Sequence, residues 1–132
     1  AAAPLAGLVV LAIDNEPSIL EGMRALLGGW DCRVITAAGL KEALDAVAAG
    51  ADTPEVVIAD YHLDEGDGLE AIARLRETLA ADVPAMLVTA DRSPTVRERA
   101  ALINVHVLNK PVKPAALRAL LAQWRATRVA AE

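Results

Sequence analysis

Asp14, Asn15 and Glu16 follow one aliphatic run, Asp60 ends another, Thr89 ends a further one, and Lys110 with Pro111 stands just beyond the last. If these runs lie side by side, three carboxylates and one carboxamide converge, and such a group repels itself unless a cation sits among it or protons are retained. Hard oxygen donors of this kind suit Mg²⁺, which takes a few protein oxygens and keeps several waters. Lys110 and the Thr89 hydroxyl at the same edge are partners for an incoming anion, and the whole set suits a phosphoryl group. Asp60 is the nucleophile in this scheme, because an ionised carboxylate can attack phosphorus and form an aspartyl-phosphate. Mg²⁺ and Lys110 would offset charge on the transferring oxygens.

Something must hold those residues together, and the chain pattern supplies it. Short apolar runs alternate with longer amphipathic segments, the sign of βαβ units with a parallel sheet. Strands are predicted at Leu8–Ile13, Arg33–Thr36, Val56–Ala59, Ala85–Thr89 and Val105–Leu108. The first, third and fourth are nearly continuous aliphatic runs, as in strands covered on both faces, whereas the second is polar at its ends and suits a sheet edge.

The first helix is predicted from Pro17, with Ile19, Leu20, Met23, Leu26, Leu27 and Trp30 at helical spacing and Gly28 and Gly29 ending it. The second covers Leu40–Ala49 and stops at Gly50. The third follows Gly68 and buries Leu69, Ile72, Leu75 and Leu79. A fourth, capped by Ser93, has few apolar residues, and the last starts at Pro114 with Leu117, Leu120, Leu121 and Trp124 in one stripe. In an open doubly wound sheet, ligands lie beyond the carboxyl ends of the strands where the strand order switches. That edge receives Asp14, Asp60, Thr89 and Lys110.

Composition bounds the alternatives. At 132 residues the chain makes one domain, and 55% hydrophobic with 23% charged residues excludes a disordered or low-complexity chain. There is no Phe, so the core must be aliphatic. Thirteen Lys and Arg against eighteen Asp and Glu, a net charge of −5, argue against a nucleic-acid partner. The uncharged stretch Ala1–Ile13 is shorter than the ~20 residues a membrane span needs, so no direct membrane insertion is expected. It also lacks a signal peptide's basic flank, and Cys32 is a lone cysteine, which together place the domain in the cytoplasm. Residues 1–7 are read as a linker remnant and 8–130 as the domain.

The segments Val10-Leu-Ala-Ile-Asp14-Asn15-Glu16-Pro17, Val57-Ile-Ala-Asp60-Tyr-His-Leu-Asp-Glu-Gly-Asp67-Gly68, Val88-Thr89-Ala90 and Asn109-Lys110-Pro111 resemble, in order and interval, the landmarks of response-regulator receiver domains. The resemblance spans nearly the whole chain. It implies an α/β, flavodoxin-like (βα)5 fold, with a doubly wound five-stranded parallel sheet of order 2-1-3-4-5. It also implies phosphorylation of Asp60, contacts from Thr89 and Lys110 to the phosphoryl group, and a cis Lys110–Pro111 peptide. The metal site it implies is an Mg²⁺ site from Asp14, Asn15, Asp60 and the carbonyl of His62. Its implied partner is a histidine kinase or histidine phosphotransfer domain, with self-phosphorylation and self-dephosphorylation aided by Mg²⁺. Pairing into a homodimer through the fourth-helix, fifth-strand and fifth-helix face is compatible with the family.

The tail Leu108-Asn-Lys-Pro-Val-Lys-Pro114-Ala-Ala-Leu-Arg-Ala-Leu-Leu121 is similar to that of receivers at the C-terminus of hybrid sensor histidine kinases, with no output domain expected after it.

Two positions depart from the family. Asn15 stands where a second acid is usual, which predicts weaker metal affinity, with Glu16 placed to compensate. Val107 stands where an aromatic is usual, and His106 points to the other face of an extended strand. Two other functions compete. A haloacid-dehalogenase-like phosphatase would use Asp14 as nucleophile and Glu16 as acid, but that family usually has a second Asp two residues on and a longer chain. A degenerate pseudo-receiver would keep the fold and lose the chemistry. The rings of His62 and His106 lack the companions a zinc site needs, Asp64 to Gly68 read as a surface loop, and Cys32 has no neighbouring base to activate it.

Overall fold

Five short aliphatic segments pair in parallel, and the helices between them close over both faces of the resulting sheet. The computed structural model describes residues 4–50 and 52–131, so Ala1 to Ala3 of the expected linker lie outside the described residues. The elements alternate strictly: β1 (Val9–Ile13), α1 (Pro17–Gly28), β2 (Arg33–Ala37), α2 (Leu40–Ala49), β3 (Val56–Asp60), α3 (Gly68–Leu79), β4 (Ala85–Thr89), α4 (Pro94–Leu102), β5 (His106–Asn109) and α5 (Pro114–Ala131). The sheet order is β2-β1-β3-β4-β5, all parallel. This is the flavodoxin-like arrangement expected, and the chain reverses its winding between β1 and β3, where a ligand crevice belongs.

Every residue of β1, β3 and β4 is buried, whereas the edge strands β2 and β5 are only partly covered. Leu11, Ile13, Val57 and Leu87 face α2, α3 and α4, meeting Ala43, Ile72, Leu75 and Val96. Val10, Ile58 and Met86 face α1 and α5, meeting Leu27, Leu117 and Leu121. Each such aliphatic side chain contributes about 1.5–3 kcal/mol on burial, so a core without Phe still holds the sheet firmly.

Local signals fix the helix ends. Pro17 opens α1, and Gly50, at φ +74°, ends α2 in the left-handed conformation that glycine adopts at least cost. Asp67 and Glu70 form a reciprocal capping box on α3, and the Ser93 side chain accepts from Val96 N to start α4.

Several details differ from the sequence reading, among them the ends of β1, β2 and β3, which run Val9–Ile13, Arg33–Ala37 and Val56–Asp60. The fifth strand starts at His106 instead of Val105, because Val105 N is taken by Ala100 O at 2.9 Å in the turn that closes α4. Ile19, expected on the buried face of α1, is 39% exposed. Leu5, within the stretch set apart from the fold, is 1% exposed and packs beside Leu8 and Val10. The Lys110–Pro111 peptide is cis. Among the described residues no helix is long and apolar enough to cross a membrane.

Candidate functional site

The register of the sheet brings the reactive residues to one edge. Ile13 pairs with Ala59, so Asp14 and Asp60 leave neighbouring strands side by side. Asp60 pairs with Val88 and Thr89 with Asn109, which carries the edge on to Lys110. Asp14 is 6% exposed, Asp60 9% and Thr89 1%. Lys110 Nζ lies 2.9 Å from Asp60 Oδ1. Its backbone N donates to Thr89 O at 2.9 Å, which registers the lysine against the end of β4. Thr89 Oγ1 accepts from Asp91 N at 3.0 Å, so the hydroxyl proton is free to be donated elsewhere.

Electrostatics at this edge are strained in one direction and relieved in the other. Burial raises the Asp14 carboxyl above its ordinary 3.8; the bond from Glu16 N and the charge of Lys110 oppose this, while the charge of Asp60 adds to it. For Lys110, burial alone would lower the value, but the hydrogen bond and charge of Asp60, with Asp14 and Glu16 behind it, raise it above 10.5. The ammonium is therefore firmly held at neutral pH.

The donor set fits a hard divalent cation. Asp14 Oδ1 is used by Glu16 N and Asp60 Oδ1 by Lys110, while the Oδ2 atom of each has no hydrogen-bond partner among the described residues. No buried side-chain polar atom there is unpaired, so these two oxygens open to solvent. Asn15 Nδ2 donates to Asp64 Oδ1 at 2.8 Å, leaving its carbonyl oxygen as the free end. No cluster of three or more His, Cys, Asp or Glu side chains stands ready for a metal among the described residues, in keeping with a neutral amide at position 15. Two carboxylate oxygens and an amide oxygen, completed by water, are donors that Mg²⁺ accepts.

The loop after Asp60 is built with little slack. Gly68 N donates to Tyr61 O at 2.9 Å, and a Cβ at Gly68 would overlap the carbonyl oxygen of Asp60 and come within 2.8 Å of Leu87 Cδ1. His62 forms an isolated antiparallel bridge with Asp67, and its exposed ring stands edge-on to Tyr61 at 4.9 Å. The structure thus gathers Asp14, Asp60 and Lys110, places Thr89 and Asn15 beside them on adjoining segments, and keeps His62 on the loop.

Sequence reasoning missed two partners. Asp64 holds Asn15, and Arg99 of α4 reaches Tyr61 and Asp67. The Asp67-x-x-Glu70 spacing, which forms a capping box, is the sequence signal that could have shown this loop to be ordered.

Comparison with known proteins agrees with this fold. A family model described as the response regulator receiver domain matches residues 10–122. An uncharacterized 14.6 kDa protein of Leptolyngbya boryana is 30% identical over 122 residues, covering 91% of this chain and 92% of that protein. The transcriptional regulatory protein KdpE of Mycobacterium tuberculosis is 35% identical over 118 residues, 89% of this chain and 50% of KdpE, so the chain spans half that relative's length. Among solved structures, the chemotaxis protein CheY4 of Vibrio cholerae superposes with a TM-score of 0.79 at 26% identity, covering 89% of this chain and 98% of that one.

Proposed function

The chain belongs to the response regulator receiver domain family, and from that premise we propose that it is a phosphoacceptor in a two-component system or phosphorelay, taking a phosphoryl group from a partner's phosphohistidine onto Asp60. The observation that carries this reading is the contact of Lys110 Nζ with Asp60 Oδ1 at 2.9 Å, beside the buried Asp14. In the reaction, a lone pair of Asp60 Oδ1, released as Lys110 moves to the phosphoryl group, attacks phosphorus, while Oδ2 stays available to the metal. The P–N bond to the donor imidazole breaks, and the imidazole leaves with the electron pair and takes up a proton. Lys110 passes from the carboxylate to a phosphoryl oxygen, and the Thr89 hydroxyl donates its unused proton to another. Asp14, Asp60, the Asn15 carbonyl and the His62 backbone carbonyl would hold Mg²⁺. When bound, the ion neutralises charge on the transferring oxygens.

The donor is a histidine kinase or histidine phosphotransfer domain, the partner class with which receivers work. A free, buried Cys32 supports a reducing, cytoplasmic setting. The phosphatase alternative, with Asp14 as nucleophile, is not favoured by the relatives found.

The test is a titration with Mg²⁺ and beryllofluoride followed by amide spectra. Shifts centred on Asp60, Thr89 and Lys110 are expected, and their absence would overturn the proposal. Mass mapping after exposure to a small acyl phosphate adds a second check. The phosphoryl increment is expected on Asp60 and lost in Asp60→Asn, whereas an increment on Asp14 would point to the phosphatase.

A further inference from the structure

We propose that Arg99, on α4, is a positioning residue for the phosphoacceptor loop: one guanidinium clamps both ends of residues 61–67 and so ties the backbone at His62 to α4. The inference rests on the reading of Asp60 given above. Arg99 Nη1 donates to Tyr61 Oη at 2.9 Å, and Nη2 donates to Asp67 Oδ2 at 3.1 Å. The guanidinium carbon is 5.9 Å from the Tyr61 ring centroid, within cation–π range.

Tyr61 directly follows Asp60, and its backbone N is fixed to Val88 O at 3.1 Å. Asp67 is doubly engaged, since its Oδ1 accepts from Glu70 N at 3.0 Å to cap α3 while its Oδ2 takes Arg99. Between these residues, His62 and Asp67 bridge each other, so the loop is closed at its neck and gripped at both stems by a single side chain.

The chemistry needs arginine. Its planar fork presents separate N–H groups to two acceptors at once, whereas a lysine offers one point charge. The remaining hold on α4 is slight, because Val96 and Ala100 are its only buried residues. Arg99 therefore links a helix with two buried residues to the loop that carries His62, and neither can shift without straining the other.

The experiment uses Arg99→Ala, Arg99→Lys and Tyr61→Phe in the intact chain, with two readouts. Without metal, hydrogen exchange of the His62 to Asp67 amides is expected to rise about tenfold in Arg99→Ala, as loss of two partly exposed bonds to a charged group implies. Mg²⁺ affinity, read from amide shifts, is expected to fall about fivefold in the same variant. Arg99→Lys, keeping the ion pair with Asp67 but not the second bond, should fall between. Tyr61→Phe removes only a hydroxyl, cannot threaten the fold, and should move both readouts the same way by less. Unchanged loop exchange overturns the clamp, and so does unchanged Mg²⁺ affinity in Arg99→Ala when the wild type binds the ion. A wild type that binds no Mg²⁺ would sink the phosphoacceptor reading instead, and the clamp would then stand or fall on exchange alone.

Discussion

Asp14 is the residue with the most to lose from ionising. It is buried beside Asp60 with its carboxyl raised above 3.8, so the native state holds that proton more tightly than the unfolded chain does. For a group raised in this direction, the stability it contributes is present below the unfolded value and is lost as pH climbs through the folded one. Metal-free wild type should therefore weaken as pH rises past the ordinary aspartate range. Asp14→Asn, which can still accept from Glu16 N, should be the more stable protein at neutral pH by about 1 kcal/mol, with the gain vanishing below pH 3.8. Urea midpoints at the two pH values check this, and a gain of equal size at both would refute the charge-burial account. Asp14, Asp60 and Thr89 were legible in the sequence because each closes an aliphatic run that reads as a covered strand, whereas Lys110, beyond the partly covered β5, was legible through its place in the motif before Pro111. The bonds of Asn15 to Asp64 and of Arg99 to Tyr61 were not legible, since they depend on where an irregular loop places side chains 49 and 38 residues away.

At the scale of elements, the joint between β3 and α3 decides how firmly Asp60 is aimed. The helix begins at Gly68, directly after the loop, and its first N–H reaches back to Tyr61 O. That approach leaves no room for a side chain between the helix and the strand's last carbonyl. Gly68→Ala should therefore cost about 3 kcal/mol in urea denaturation, the upper end for overpacking because the neighbour that must yield is backbone. It should also displace the amide signals of Asp60 and Lys110; a loss below about 0.5 kcal/mol would mean the joint is slack. The sequence offered this glycine only as part of a pattern, and the reason for it, a close backbone approach, appears only when helix and strand are packed. Element identity was more readable than element edges. Aliphatic runs against amphipathic ones separate strand from helix, but whether β5 starts at Val105 or His106 depends on one hydrogen bond to the end of α4.

For the molecule as a whole, the parallel order β2-β1-β3-β4-β5 collects negative charge at one edge of a chain already at −5, so folding works against repulsion that a bound cation would relieve. Position 15 sets how large that opposition is. As Asn it donates to Asp64 and adds no charge. As Asp it would lose that bond, face the Asp64 carboxylate, and stand next to Asp14. Without metal, Asn15→Asp should lower stability by about 1 kcal/mol. An ion that binds only the folded state returns stability by mass action, about 2.7 kcal/mol at a hundredfold excess over its dissociation constant. A third carboxylate tightens that binding, so the variant gains more from the same Mg²⁺ than the wild type does. The order of melting temperatures should consequently invert, with wild type higher in chelator and Asn15→Asp higher in excess Mg²⁺. If the variant melts below wild type under both conditions, residue 15 does not serve the metal, and the third ligand must be sought on the loop.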